Sequence, residues 1–351
     1  MTARDRISYA VRIVVTHGLY YTGMLHLLQR IRLRRKVVVL MYHRVLTREQ
    51  QERTASQGGL VVEDKTFARQ IALLKRMFTV LTLDEFAERL ARREPFDGPC
   101  CLITFDDGWI DVFENALPVL SAHRVPAVMF LPVNFIGQRR LFIREALTHL
   151  LVEAVKTSRK APERRERLRT ALAALGFDRL LEIEDEEPLA AVIQAVGAHY
   201  YASLPAFEAL VAALSIELGV SEGELSELDT FVDWSQVEQM GRHGFSFGGH
   251  GADHRVLTQV SADVARAEIE SSKTVLDSRL ATSVRAFAYP NGGWSPEIAN
   301  TVKASGYQLA FTVDRGHVSC LDDCLALKRM NIHEDMTRTA PMFLARLTGI
   351  M

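Results

Sequence analysis

Residues 100–108 read CCLITFDDG, and the way this stretch stops decides the fold class. Cys100 to Phe105 is apolar without a polar face, the pattern of a strand covered on both sides, as strands of a parallel sheet are. Asp106, Asp107 and Gly108 then end it abruptly. Working outward, VVVLMYH (37–43) is a second short β-branched run, and between the two lie helical patterns at 64–77, behind the expected cap Asp64, and at 83–93. On the other side a helix over 109–122 is followed by the strand AVMFLP (127–132). After an interruption the alternation resumes: a helix at 234–242, the strand FSFGG (245–249), a helix at 261–280, the strand VRAFAYP (284–290), a helix at 295–305, the strand QLAFTV (308–313) and a last strand near 325–330. Strands separated by helices pair in parallel, so the sequence predicts an α/β fold, a barrel-like arrangement split by one insertion.

The interruption is compositionally distinct. From 138 to 232 the chain is rich in Leu, Ala, Glu and Arg, as in EALTHLLVEAVK and ERRERLRTALAALG, and reads as a helical insertion. The expected organisation is an amphipathic basic segment (1–36), a barrel domain (37–137 and 233–351) and the insertion (138–232). An insertion leaving from the strand-end face is expected to overhang the site and select substrates; a helical appendage that serves assembly is the alternative.

With 42 basic and 43 acidic residues the net charge is −1, which gives no global field to gather nucleic acid. Cys100 and Cys101 are adjacent, and Cys320 and Cys324 are too loosely spaced for a zinc knuckle, so all four read as reduced thiols. The first 36 residues hold no apolar run long enough to span a bilayer and no signal-type cleavage site, which predicts a chain that stays in the cytoplasm. The segment does carry apolar Val11, Val14, Val15, Leu19, Leu25, Leu28 and Ile31, then the cluster Arg30, Arg32, Arg34, Arg35, Lys36. A helix of this kind lies on an anionic membrane surface or packs against the barrel, and both readings stay open.

In parallel α/β folds the residues following each strand converge on one face. Here those residues are polar: Asp106 and Asp107, His250 and His254 in GGHGADH, Asn291 and Gly292 in AYPNGG. Two histidines and a carboxylate are a donor set for a divalent cation, and a neighbouring carboxylate can accept the proton of a water. Consecutive side chains diverge, so one aspartate ligates and the other serves as base. Taken singly, the aspartates could be a turn or cap and the histidines loop residues; their joint placement at strand ends favours chemistry.

These motifs resemble the polysaccharide deacetylase family (carbohydrate esterase family 4, the NodB homology domain), over roughly 37–137 and 233–335. TFDDG is similar to its first motif, which implies Asp106 as general base and Asp107 as metal ligand; HGADH resembles the second, with His250 and His254 as ligands. FAYPNGG resembles the third, in which the N–H of Asn291 helps hold the oxyanion, and MYHRV and FTVDRG also look like the family. The resemblance implies a distorted (β/α) barrel, a divalent metal with Zn²⁺ foremost, and hydrolysis of the N-acetyl group of a carbohydrate, in a setting of exopolysaccharide biosynthesis. The arginine that orients the base in many members is replaced at its aligned position by Ala288, leaving Arg285 or Arg329 as substitutes. His333 in RMNIHED is the candidate proton donor, a surface histidine being the alternative, and Tyr42, His43, Tyr289 and Trp109 are expected to line the substrate. Hydrolysis of another acylated amine or cyclic amide, or a degenerate sugar-binding protein, are the competing readings.

Overall fold

The structure is a computed structural model that describes residues 13–199 and 204–350; Val11, counted in the expected amphipathic face, lies outside them. Among the described residues the strands are β1 Lys36–Tyr42, β2 Arg44–Leu46, β3 Val61–Glu63, β4 Thr79–Val80, β5 Cys100–Phe105, β6 Ala127–Leu131, β7 Phe245–Gly249, β8 Ala286–Ala288, β9 Leu309–Arg315, β10 Val318–Ser319 and β11 Leu327–Asn331. Seven of them, in the order β1-β5-β6-β7-β8-β9-β11, form a closed parallel barrel, with β11 returning to pair with β1. Closure removes the free edges that an open sheet would present. β4 extends the start of β5 in parallel, β10 runs antiparallel to β1, and β2 and β3 pair separately. These short accessory strands have too few residues to show a period in the sequence.

The barrel interior follows from strand alternation. Val37 and Val39, Cys100 and Leu102, Val128 and Phe130, Ala286 and Ala288, Leu309 and Phe311, and Leu327 meet in one buried cluster, joined by Phe86 and Phe96. On β7 the matching position is Gly248, because a Cβ there would come within 2.5 Å of the Phe130 ring. A side chain at 248 would displace that ring, so FSFGG carries glycine for space.

Helices cover the barrel much as the periodicity predicts, with local differences. The helix Asp64–Met77 is preceded by Glu63 at the cap position, and Asp64 accepts a hydrogen bond only from the adjacent Lys65 N–H, so Asp64 is the first helical residue and not the cap. Helix Leu83–Ala91 starts with a reciprocal Thr82–Glu85 capping box. The stretch after Asp107 opens as a π-helical turn, Val112–Ala116, before the α-helix Leu117–His123. The strand expected over 284–290 is confined to β8, because Pro290 begins a short 3₁₀ turn.

Among the described residues two compact units are present: 13–48, 58–137 and 231–350, and 49–57 with 138–199 and 204–230. The second unit packs Leu147, Leu150 and Leu151 of helix Ile143–Lys160 against Leu168, Val192 and Leu214. Segment 49–57, read in the sequence as part of the barrel, belongs to it through Asp229. That fully buried carboxylate accepts hydrogen bonds from Thr54 Oγ1 (2.7 Å) and the Ala55 N–H (2.9 Å), and His149 Nε2 lies 2.8 Å away. Within the first unit, helix Met24–Arg32 buries Leu25 and Gln29 and rests against helix Ala340–Leu347. Among the described residues no helix is long and apolar enough to cross a membrane.

Candidate active site

Asp107, His250 and His254 converge. His250 Nε2 lies 3.3 Å and His254 Nε2 3.2 Å from Asp107 Oδ1, and one donor atom from each residue falls within 4.8 Å of the others. The backbone turns sharply to bring them there: Asp107 (φ 76°) and His254 (φ 56°) both occupy the left-handed region, a conformation that is uncommon outside glycine and clusters at functional sites. His250 Nδ1 donates to Ala288 O at 2.7 Å, which turns the Nε2 lone pair of a neutral imidazole toward Asp107. A lone pair and a carboxylate oxygen at 3.3 Å repel each other unless a proton or a cation lies between them. The donor set therefore fits a divalent metal. Where a proton and not a cation lies between them, burial works against charge on both partners, but the resulting hydrogen bond overrides it, holding Asp107 well below the usual carboxylate range and raising His250.

The second oxygen of Asp107 is held from behind. Trp109 Nε1 donates to Oδ2 at 3.0 Å, the Arg44 guanidinium stacks on the Trp109 ring at 4.2 Å, and Arg44 Nε bonds Asp111 Oδ2 at 2.8 Å. Arg44, Trp109 and Asp111 are all fully buried. Trp109→Phe would keep the stacked ring and delete the N–H, and is expected to weaken metal affinity roughly 10- to 100-fold. Chelator competition measures it; unchanged affinity would show that the indole only fills space.

Asp106 faces a different partner. Its backbone N–H bonds Tyr42 O, and its carboxylate receives two parallel hydrogen bonds of 2.7 Å from Nη1 and Nη2 of Arg329. Arg329, on β11, is fully buried and fixed by Nε to Thr312 O at 2.9 Å and by Nη1 to Thr104 Oγ1 at 3.3 Å. Burial alone would raise the Asp106 pKa; the guanidinium more than reverses this and holds it below the ordinary value. Of the two arginines the sequence left open, Arg329 is the one bonded to Asp106. Arg285 instead pairs with exposed Asp84 at 3.4 Å. His43 Nε2 stands 4.0 Å from Asp106 Oδ2, and its buried Nδ1 has no hydrogen-bond partner.

Three expected substrate contacts are corrected. Tyr42, Tyr289 and Trp109 have no exposed surface. Tyr42 donates to Gln70 Oε1 and stacks on Phe105, Tyr289 donates to Leu325 O, and Trp109 supports Asp107, so their polar ends are satisfied inside the protein. Asn291 is exposed at φ 52°, a turn conformation asparagine tolerates. His333 follows β11 and precedes the helix Glu334–Thr337; burial lowers its pKa, and the charges it feels are Asp335 and Arg346, not the aspartates of the site. Sequence reasoning missed Glu268, whose buried carboxylate accepts from the N–H groups of Ala252 and Asp253 and so braces the loop carrying both histidines. It missed Arg44 and Asp111 as well. Arg44 lies in the MYHRV run but its partners Trp109 and Asp111 are met only in the fold, and Glu268 and Asp111 sit in no motif.

A family model described as "Polysaccharide deacetylase" matches residues 93–161 and 195–310, more than half of the chain. The chain belongs to the polysaccharide deacetylase family. Membership makes it a hydrolase acting on amides with a carbohydrate substrate. Among relatives of this deacetylase, "Putative polysaccharide deacetylase YxkH" of Bacillus subtilis (strain 168) is 21% identical over 306 residues, covering 87% of this chain and 74% of that protein. The fold is similar to the deacetylase PplD of Streptococcus pyogenes, solved in complex with acetate (20% identity, TM-score 0.55, covering 86% of this chain and 95% of that one). It is also similar to IcaB from Ammonifex degensii (19% identity, TM-score 0.55, covering 89% and 97%). The matched residues hold both aspartates and both histidines, while His43 and Arg329 lie outside them.

Proposed function

We propose that this deacetylase hydrolyses the acetamide of an N-acetylated sugar, releasing acetate and a free amine. One observation carries the reading: the three-residue donor set Asp107, His250, His254 lies beside a second carboxylate, Asp106, that a buried arginine keeps ionised. Asp107, His250 and His254 would hold a divalent metal, Zn²⁺ first, which when bound polarises the amide carbonyl and acidifies a water. Asp106 accepts that water's proton as its oxygen bonds to the carbonyl carbon. Arg329 keeps Asp106 deprotonated and fixes the direction of its oxygens. The Asn291 N–H offers a hydrogen bond to the oxygen of the tetrahedral intermediate. When the C–N bond breaks, the leaving nitrogen needs a proton, and His43 is better placed than His333 to deliver it, being 4.0 Å from the carboxylate that took one up.

The degenerate-site reading drew on a missing arginine, and the Arg329–Asp106 pair takes that motive away. Acetate release from N-acetylglucosamine oligomers tests the proposal: activity is expected, lost with chelator and restored by Zn²⁺. A folded protein that releases acetate from small acetylated amines but never from sugars would move the reading to the other amide substrates. In the same assay His43→Ala is expected to lower kcat by roughly 10²-fold or more and His333→Ala by far less; the reverse order would return the proton-donor role to His333.

A further inference from the structure

We propose that helix Met24–Arg32 and the cleft beside it form a docking surface for an anionic phospholipid membrane, with a lipid phosphate seated among the cleft's cations. The surface is separate from the hydrolytic site, sharing none of its residues.

Met24, Leu27 and Ile31 are 45%, 52% and 61% exposed, and their spacing of three and four residues puts them on one stripe of the helix, opposite buried Leu25 and Gln29. The sequence alone puts Leu25 and Ile31 on one apolar face; the fold turns Leu25 inward and leaves the stripe of Met24, Leu27 and Ile31 uncovered. Upstream, Val14, Val15 and Tyr21 are 71%, 52% and 79% exposed. Apolar exposure on this scale along one terminal segment departs from the scattered single residues of an ordinary surface.

The stripe leads into a charged cleft. Ile31 is also a wall of a cavity of about 820 Å³ whose other walls include Arg32, Arg34, Lys36, Arg315 and His317, and none of the described residues lining it is acidic. Arg32 is held in place by Nη1 to Thr348 O at 3.2 Å, and His317 by Nε2 near Leu347 O at 2.8 Å. The charges bearing on His317 are those of Lys36, Arg32 and Arg315, all positive, so the concentration of positive charge belongs to the fold and not only to the sequence run 30–36. Since the whole chain carries a net charge of −1, this positive field is local.

Charge and apolarity together select the occupant. A nucleic acid would satisfy the cations and leave the apolar stripe in water, whereas a bilayer interface offers a phosphate layer with acyl chains directly beneath it. Each cation near an anionic surface strengthens attachment about fivefold.

The experiment is flotation of the full chain with vesicles of phosphatidylcholine alone and of phosphatidylcholine with phosphatidylglycerol. Recovery with the anionic vesicles is expected, weakened at about 1 M salt, where screening acts within about 3 Å. Arg34→Glu with Lys36→Glu should reduce partition at least about 25-fold, and Leu27→Ser with Ile31→Ser should also release the protein. Thermal unfolding verifies that both variants fold. Equal recovery with neutral and anionic vesicles, anionic binding that neither folded variant alters, or binding of an acidic peptide without binding of vesicles would each overturn the proposal.

Discussion

Asp106→Asn is expected to lower kcat by roughly 10²- to 10⁴-fold while the protein keeps its metal, and Asp107→Ala or His254→Ala to lose the metal itself. The two aspartates are neighbours in sequence but not in role. Asp107 points at two imidazoles and an indole N–H, whereas Asp106 points at a guanidinium. Amidation of Asp106 removes the proton acceptor without touching any atom of the Asp107, His250, His254 group. Elemental analysis of the folded variants decides it: an Asp106→Asn protein as metal-poor as Asp107→Ala would overturn the division of labour.

Arg329→Met is expected to cost about 3–5 kcal/mol of stability, because it leaves the buried Asp106 carboxylate without a partner. The double variant Arg329→Met with Asp106→Asn should recover most of that loss, since the amide carries no charge to strand; a double variant as unstable as the single one would locate the cost in packing. The same pair sets a pH dependence. Asp106 has a folded pKa below its unfolded value of about 3.9, so its contribution to stability is present above that value and is lost as the pH falls through the folded one. Without the guanidinium, burial loses its strongest opponent and the pKa rises. The acid limb of the pH–rate profile should therefore move to higher pH in Arg329→Met; an unmoved limb would mean that Arg329 does not tune the base.

Two kinds of information separate along this chain. Strands, covering helices and the helical insertion were legible because each writes its own period into a few consecutive residues: CCLITF with no polar face, the 3.6-residue spacing of 64–77, the Leu/Ala/Glu/Arg run after 138. The meeting of Asp107, His250 and His254 was legible for a related reason. A parallel barrel collects whatever follows its strands on one face, so Asp107, His250 and His254 could be grouped before any distance was known.

What the sequence could not decide is which side chains meet across the barrel and which way an amphipathic residue turns. Arg285 and Arg329 are equivalent as text; strand parity puts Arg329 on the face that Thr104 and Asp106 share and leaves Arg285 at the surface with Asp84. Tyr42, Tyr289 and Trp109 read as a substrate wall because they lie in or beside motifs, yet a hydroxyl or indole N–H that finds Gln70, Leu325 or Asp107 inside the protein has no need to face solvent. The amino-terminal segment by itself determined a helix with a basic end. Only its packing against helix Ala340–Leu347 determined that Leu25 is covered and Met24, Leu27 and Ile31 are not. The physical reason is common to all three cases. Local sequence fixes backbone period, whereas burial and pairing depend mostly on partners tens to hundreds of residues away, and the folded barrel, not the motif, chooses them.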